Sequence, residues 1–326
     1  MSSLTSLKEE ILSLKKQKNA VILAHYYEDG EIQDIADHVG DSLYLAQQGE
    51  KLTADVALMA GVVFMAETVK ILSPTKTVLV PDLGAGCSLV DHSPFDKYLE
   101  WRRQHPTGIA VTYVNSSALV KSITDVACTS SNAEKIIAAI PPGRPILFGP
   151  DRNLGRYLAK KLGLKIGSEM ILWPGACQVH VLFSARKLHD LKRDNPGAPV
   201  LAHPECDEVV LEQADVIGST SRLLEETQKN PAQKFIVATE EGIFHQMKKS
   251  RPDAEFIQAP AEGSCACNQC PYMKMNTLEK VRNALRDLKP QIEVASDIIE
   301  KSRIPLRRML DITAGLKVEW PTEFRG

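Results

Sequence analysis

The sequence lacks a long apolar run, an excess of charge of either sign and an apolar leader. Its longest apolar stretch, residues 56–66, has eleven residues, well short of the roughly 20 that a helix needs to cross a bilayer. Its 39 basic and 41 acidic residues leave a formal charge of −2, so no basic surface for nucleic acid is expected. Residues 1–20 are charged and have no apolar segment of the signal-peptide type. We therefore expect a cytoplasmic protein that binds neither membranes nor nucleic acid.

Cysteine is what the chain does contain, with seven residues in all. Without a secretion signal, seven cysteines argue against a disulfide framework and favour metal or redox chemistry. With 326 residues the chain is too long for one ordinary core and suits two or three domains.

Three of the cysteines follow the same local pattern. Cys87, Cys177 and Cys270 lie 90 and 93 residues apart, and each comes after an apolar segment that is closed by proline and glycine. Such residues mark the end of a strand. Because ligands in open α/β sheets bind at the carboxyl ends of strands, three equivalent strand ends are expected to carry a thiol to a binding site.

The strand and helix patterns also repeat. Ala20–His25 is predicted to be a buried strand and residues 31–38 a helix. The tripeptide Leu-Ala-His at residues 23–25 recurs at residues 201–203, and Ser42 recurs as Ser130 after 88 residues. Alternating strands and helices indicate parallel sheets covered by helices on both faces.

We therefore predict an α/β protein of three similar three-layer α/β/α units, arranged around a pseudo-threefold axis. The predicted boundaries are an N-terminal helix over residues 1–19, units over 20–106, 107–196 and 197–276, and a C-terminal helical extension over 277–326. If the strand ends point inward, the three cysteines meet one set of polar side chains, namely His25, Tyr27, Asn115, His203 and Glu205, with the hydroxyls of Ser42, Ser130, Ser219 and Thr220.

The thiols alone leave the identity of the metal open. A structural zinc site needs four ligands, often in closely spaced pairs, and only the third unit has such a pair, Cys267 and Cys270, preceded by Cys265. Cysteine thiolates also hold iron–sulfur clusters, and Cys270 is followed by proline, as in one bacterial ferredoxin pattern. With three cysteine ligands, a four-iron cluster keeps one iron free to act as a Lewis acid.

Several motifs resemble the quinolinate synthase family, in colinear order over residues 20–310. They are Ala24-His25-Tyr26-Tyr27, Gln33-Asp34-Ile35-Ala36-Asp37, Gly40-Asp41-Ser42-Leu43, Met65-Ala66-Glu67-Thr68, Tyr113-Val114-Asn115-Ser116, Phe148-Gly149-Pro150-Asp151, Cys177-Gln178-Val179-His180, His203-Pro204-Glu205-Cys206 and Gly218-Ser219-Thr220. The resemblance implies three α/β/α domains with pseudo-threefold symmetry and a [4Fe-4S] cluster on Cys87, Cys177 and Cys270. It also implies the condensation of iminoaspartate with dihydroxyacetone phosphate to quinolinate, phosphate and water in NAD biosynthesis. L-aspartate oxidase or aspartate dehydrogenase would then supply the imine.

Residue roles follow from that chemistry and the resemblance together. Loss of phosphate, imine formation and dehydration need acid–base groups, and the candidates are Tyr27, His25, His203 and Glu205. The candidates for substrate binding form two groups. The residues expected to hold phosphate or carboxylate oxygens are Ser130, Ser219 and Thr220. The residues expected to position the substrate are Ser42, Tyr113, Asn115 and His180. None of the motifs contains arginine, so hydroxyls and helix starts are expected to bind the anions.

Simpler interpretations accompany these. Cys128 and Cys206 are expected to be buried apolar residues, and the serines and threonine could be helix N-caps. Cys265 and Cys267 could form a redox pair, scavenge metal or have no role. A non-catalytic metal or cluster sensor that clamps a small anion is the alternative to an enzyme, although a sensor has no need for acid–base residues at the same strand ends.

Overall fold

The fold is built from three parallel sheets, as seen in a computed structural model that describes residues 3–263 and 268–324. Twelve strands in the described residues form three separate sheets of four strands. In each sheet the second strand of the unit lies at one edge, followed by the first, third and fourth. The identical strand order and the flanking helices confirm the predicted α/β class and the three similar units. Cys265 and Cys267 lie outside the described residues.

The first unit follows helix α1 (Ser3–Gln17). Its strands are β1 (Ala20–His25), β2 (His38–Gly40), β3 (Val56–Ala60) and β4 (Thr77–Leu79). Its helices are α2 (Gly30–Gln33), α3 (Ser42–Glu50), α4 (Val63–Leu72), α5 (Ser88–Asp91) and α6 (Phe95–Arg103). All five residues of β3 are buried, as expected for a central parallel strand that is covered on both faces.

The second unit repeats this arrangement. Its strands are β5 (Ile109–Tyr113), β6 (Val126–Cys128), β7 (Ile146–Gly149) and β8 (Met170–Leu172). Its helices are α7 (Ala118–Lys121), α8 (Ala133–Ala138), α9 (Arg152–Leu162) and α10 (Ala185–Asp194), with a 3₁₀ turn at His180–Leu182.

The third unit has the shortest strands. They are β9 (Val200–Ala202), β10 (Val216–Ile217), β11 (Lys234–Ala238) and β12 (Glu255–Gln258). Its helices are α11 (Glu208–Leu211), α12 (Thr220–Lys229) and α13 (Phe244–Ser250), with 3₁₀ turns at Glu241–Ile243 and Met273–Met275.

Two further helices pack back across the first two units. Helix α14 (Leu278–Asp287) packs against α1 and shares a buried cluster with Ile11, while α15 (Ser296–Thr313) packs on α4, α7 and β6. No helix in the described part of the chain has the length and apolar character of a bilayer crossing. The proposed cuts at residues 106/107 and 196/197 fall in the loops before β5 and β9, but the division into domains stays a prediction.

The predicted helix over residues 31–38 is wrong in its extent. Helix α2 ends at Gln33, and His38 begins the edge strand β2. The short edge strands β6 and β10 also escaped prediction. Each of these strands has only two or three residues, so no alternation of apolar and polar residues can develop within it.

Candidate active site

The carboxyl ends of the three sheets face one cavity. Every predicted site residue except Ser219 lines it, with contributions from all three units, namely His25, Tyr27, Ser42, Cys87, Tyr113, Asn115, Ser130, Cys177, His180, His203, Glu205, Thr220 and Cys270. Ser219 instead caps helix α12, where its hydroxyl accepts a hydrogen bond from the Arg222 backbone N–H at 3.4 Å. Its role in substrate binding stays a prediction.

Equivalent positions of the three units supply similar groups to the cavity. Three hydroxyls, here called the hydroxyl cluster, follow the second strand of each unit and come from Ser42, Ser130 and Thr220. The three thiols follow the fourth strand of each unit. This correspondence explains why the period in the sequence predicts residues that meet in space, since parallel strands bring their carboxyl ends to one edge of each sheet.

Each of the three thiols lies at the start of a turn of helix. Cys87 precedes α5 and accepts backbone hydrogen bonds from Leu89 and Val90. The Cys177 and Cys270 sulfurs accept such bonds from the backbone within the next three residues. Backbone N–H groups that point at a sulfur favour its thiolate form and tune a bound metal.

Burial opposes ionisation of the same thiols. It raises the pKa of Cys87 to about 12 and that of Cys270 to about 11, and it raises the pKa of Cys177 well above its ordinary value. Negative charge on Glu205 adds to the effect at Cys87 and Cys177. Without a metal these groups stay thiols at neutral pH, whereas a coordinated metal would deprotonate them.

Glu205 is the buried anion of the cavity. Its Oε2 lies 2.9 Å from His180 Nδ1, and the Tyr113 hydroxyl also hydrogen-bonds it. Burial by itself would raise the pKa of Glu205, but nearby His203 and His180 and the hydrogen bonds from His180 and Tyr113 outweigh burial and lower it to about 2. The side chain is therefore a carboxylate at neutral pH.

The histidines pack around this carboxylate. The rings of His180 and His203 stack with their centroids 4.5 Å apart, and His203 Nε2 lies 3.2 Å from the Ser130 hydroxyl. Burial lowers the pKa of His25 to about 4 and that of His203 to about 3. Both imidazoles are therefore neutral at neutral pH, and burial makes them weak bases.

Two buried tyrosines complete the set of acid–base groups. Burial raises the pKa of Tyr27 and that of Tyr113 well above the ordinary value, and nearby Glu205 adds to both shifts. Both phenols hold their protons at neutral pH. The Tyr27 hydroxyl lies 2.8 Å from the Thr239 hydroxyl, which is also 3.0 Å from His180 Nε2. Thr239 therefore links the two groups in one hydrogen-bond chain.

The sequence pattern did not predict Thr239, Asp41 or Asp151 as site residues. Asp151 accepts hydrogen bonds from the backbone N–H groups of Leu154 at 2.7 Å and Cys177 at 3.0 Å. It therefore fixes both the start of α9 and the loop that carries a thiol. The available signal was position alone, because Thr239 and Asp151 follow the third strands of their units, β11 and β7.

A second set of potential metal ligands overlaps the thiols. Cys177, His180 and Glu205 have ligand atoms that all lie within 4.8 Å of one another, and in the described residues they are the one set of three that does so. Cys87, Cys177 and Cys270 do not form so tight a set. The cavity thus has a compact sulfur–nitrogen–oxygen group beside a wider group of three sulfurs.

Comparison with known proteins agrees with this geometry. Residues 9–311 match the family model described as Quinolinate synthetase A protein. The chain belongs to this family. It is 52% identical to a quinolinate synthase of Prochlorococcus marinus strain MIT 9303, covering 95% of this chain and 92% of that protein. It is 51% identical to the one from Microcystis aeruginosa over 95% of this chain and 94% of that protein, and 49% identical to the one from Chloroherpeton thalassium over 94% of each.

One buried carboxyl near the Tyr27 loop gives a pH-dependent stability. Glu28 is fully buried, and its Oε1 accepts a hydrogen bond from the Asn276 side chain at 2.8 Å, while its Oε2 has no partner. Burial raises the pKa of Glu28 to about 8, against the opposing effects of Asn276 and Lys274. The folded protein therefore holds a proton there that the unfolded chain has released above its ordinary pKa of 4.5.

We predict that Glu28→Gln removes the free-energy cost of keeping this carboxyl protonated in the folded protein. Because the folded-state pKa is raised, the wild-type free energy of unfolding falls as pH rises from about 4.5 to about 8, by up to about 1.4 kcal/mol per pH unit from this group. Thermal unfolding of both proteins should show the stability advantage of Glu28→Gln growing from pH 5 to pH 8. The exposed Glu293→Gln is the matched control. A stability difference that is independent of pH would contradict a protonated Glu28.

Proposed function

We propose that this cavity condenses iminoaspartate with dihydroxyacetone phosphate to quinolinate, phosphate and water, as a step of NAD biosynthesis. Family membership over nearly the whole chain supports an enzyme with small-molecule substrates. The observation that carries the proposal is the lining of the cavity, where one thiol from each unit lies beside the acid–base candidates. We propose the cytoplasm as its location, with L-aspartate oxidase or aspartate dehydrogenase as the source of the imine.

We infer that Cys87, Cys177 and Cys270 hold a [4Fe-4S] cluster. A single zinc ion keeps each sulfur ligand at about 2.3 Å, so its sulfur ligands lie within roughly 4 Å of one another. The three thiols form no set within 4.8 Å, so a group larger than one ion fits them better. All three are free cysteines in the described residues. When bound, the cluster would supply a Lewis-acidic iron that has no cysteine ligand.

The protein's own residues would handle the protons. Tyr27 keeps its proton at neutral pH, so it can donate it to a leaving oxygen and recover it through the chain from Thr239. Glu205 stays ionised and holds His180 in one orientation. Neutral His25 and His203 are the candidates to take up protons during imine formation and dehydration, although burial weakens both as bases.

Neutral groups would bind the anionic ends of the substrates. Among the described residues that line the cavity there is neither lysine nor arginine. Two members of the hydroxyl cluster, Ser42 and Thr220, are the first residues of α3 and α12, and helix starts offer backbone N–H groups and a positive dipole end to anions. Tyr113, Asn115 and His180 would orient the closing intermediate, and the Asn115 Oδ1 atom is buried without a protein partner.

Anaerobic purification tests the proposed reaction and cofactor together. Protein purified without oxygen should be brown, absorb broadly in the visible range and convert iminoaspartate and dihydroxyacetone phosphate to quinolinate. Product can be measured by chromatography, and iron and sulfide by chemical analysis. A colourless protein that contains zinc and shows no turnover would instead support a metal site at Cys177, His180 and Glu205.

Replacing one proposed cluster ligand tests the assignment. Cys177→Ala should abolish cluster assembly, because removing one of three thiolates leaves too few ligands, while circular dichroism shows a retained fold. Cys128→Ala is the matched control, since Cys128 is buried in β6 and does not line the cavity. A Cys177→Ala protein with full iron content and activity would exclude this thiol as a ligand.

Replacing Tyr27 tests the proposed proton transfer. Tyr27→Phe should lower kcat by about 10²–10⁴-fold, the usual contribution of a positioned acid–base group, with an unchanged visible spectrum. Tyr44→Phe removes a hydroxyl from a tyrosine at the protein surface and is the control. If Tyr27→Phe turned over at the wild-type rate, another residue would have to donate the proton.

A further inference from the structure

One carboxylate joins the three units beside the hydroxyl cluster. Asp41 Oδ2 accepts hydrogen bonds from the Ser131 hydroxyl at 2.6 Å and the Ser221 hydroxyl at 2.7 Å. Its Oδ1 accepts from the Tyr44 backbone N–H at 2.9 Å and so caps α3. Asp41 belongs to the first unit, Ser131 to the second and Ser221 to the third. A single side chain, only 6% exposed, therefore contacts all three.

The contacts of Asp41 are adjacent in sequence to the hydroxyl cluster. Ser42 follows Asp41, Ser130 precedes Ser131, and Thr220 precedes Ser221. Neighbouring Cα atoms are fixed about 3.8 Å apart by the peptide bond. By holding Ser131 and Ser221 at one point, Asp41 therefore restrains the backbone positions of Ser42, Ser130 and Thr220 relative to one another.

The charge of Asp41 suits this task. Hydrogen bonds to a carboxylate are stronger than those between neutral groups, and burial shields them from salt. The Asp41 carboxylate is met by two hydroxyl donors and one backbone donor. The Ser131 and Ser221 protons are then committed to Asp41, while the neighbouring residues Ser42, Ser130 and Thr220 line the cavity.

We propose that Asp41 is a positioning residue, which sets the spacing of the hydroxyl cluster by holding one serine of the second unit and one of the third. The proposal rests on the proposed function for its consequence, since the cluster is expected to bind the anionic groups of the substrates. Asp41 lines the cavity, but in this proposal it acts on the substrates only through the hydroxyl cluster. Its loss should therefore weaken substrate binding more than it slows the chemical step.

Three substitutions separate the two jobs of Asp41. Asp41→Ser keeps a good N-cap for α3 but cannot reach both serines, and Asp41→Ala loses the cap as well. Asp41→Asn keeps the shape and one acceptor oxygen, so it should rescue part of the effect. We expect KM for dihydroxyacetone phosphate to rise about tenfold in Asp41→Ser, less in Asp41→Asn, with kcat and the cluster spectrum little changed.

A double-mutant cycle tests the contact directly. Ser221→Ala alone should raise KM, whereas adding it to Asp41→Ser should raise KM no further, because the shared hydrogen bond is already lost. Ser184→Ala removes the N-cap of α10 and is the control for loss of a cap, with a lowered Tm and unchanged KM. Effects of Asp41→Ser and Ser221→Ala that multiply, or a wild-type KM in Asp41→Ser, would overturn the proposal.

The same cycle measured on Tm does not depend on the reaction. The Tm changes of Asp41→Ser and Ser221→Ala should be non-additive, and the Ser131→Ala pair should behave likewise, even if the protein makes no quinolinate. Absence of turnover with non-additive Tm changes would refute the proposed function and keep the contact between units. Additive Tm changes in both pairs would refute the role of Asp41, whatever the wild-type activity.

Discussion

The interaction on which the cavity depends is the hydrogen bonding of one buried carboxylate. Glu205 is 2% exposed, and a charge at that depth is costly unless it is paired and hydrogen-bonded. Its partners His180 and Tyr113 come from the second unit, whereas Glu205 belongs to the third. Removing one of these partners while the cavity stays closed would leave a buried anion short of a hydrogen bond, at a cost of about 3–5 kcal/mol. The arrangement of side chains in the cavity and the packing of these two units therefore depend on the same hydrogen bonds to Glu205.

The lysines nearest to the cavity lie outside its lining. Lys121 is fully buried, donates to the Ser116 carbonyl, and lies within electrostatic range of Glu67 and Cys87. Burial lowers its pKa to about 8, against the opposing attraction of those two groups. Lys274 lies 3.7 Å from Glu240, whose carboxylate accepts a hydrogen bond from the Cys270 backbone. Cys87 thus has a cation nearby that takes up no space in the cavity, whereas Lys274 pairs with Asp29 and Glu240.

The sequence predicted the parts of this arrangement that depend on position along a repeat. The period of Cys87, Cys177 and Cys270 reflects equivalent strand ends, and the structure brings all three to one cavity. The strand β1 was predicted with its observed bounds, because six consecutive residues suit a buried parallel strand. The extent of a single strand and the position of its last residue are determined by the local sequence.

Contacts between units were beyond such prediction. Thr239 hydrogen-bonds Tyr27, which is 212 residues away in the sequence, and Asp41 hydrogen-bonds Ser221, which is 180 residues away. A threonine after a strand and an aspartate before a helix have ordinary local explanations, as a strand terminus and an N-cap. Only the packing of one unit on another shows their second partners. The residues that prediction missed are therefore those whose importance lies in joining the units.

The absence of lysine and arginine from the described lining follows from the same charge arrangement. An arginine inside the cavity would pair with Glu205 or with a thiolate, since both lie in a low-dielectric interior where opposite charges attract strongly. A substrate phosphate would then have to compete with these fixed anions. A hydroxyl has no charge to be captured in this way, and it binds an anion only when its oxygen is correctly placed. In the proposed function, where Ser42, Ser130 and Thr220 bind the anionic substrates, recognition therefore depends on their spacing, which we propose is set by the contacts between the three units.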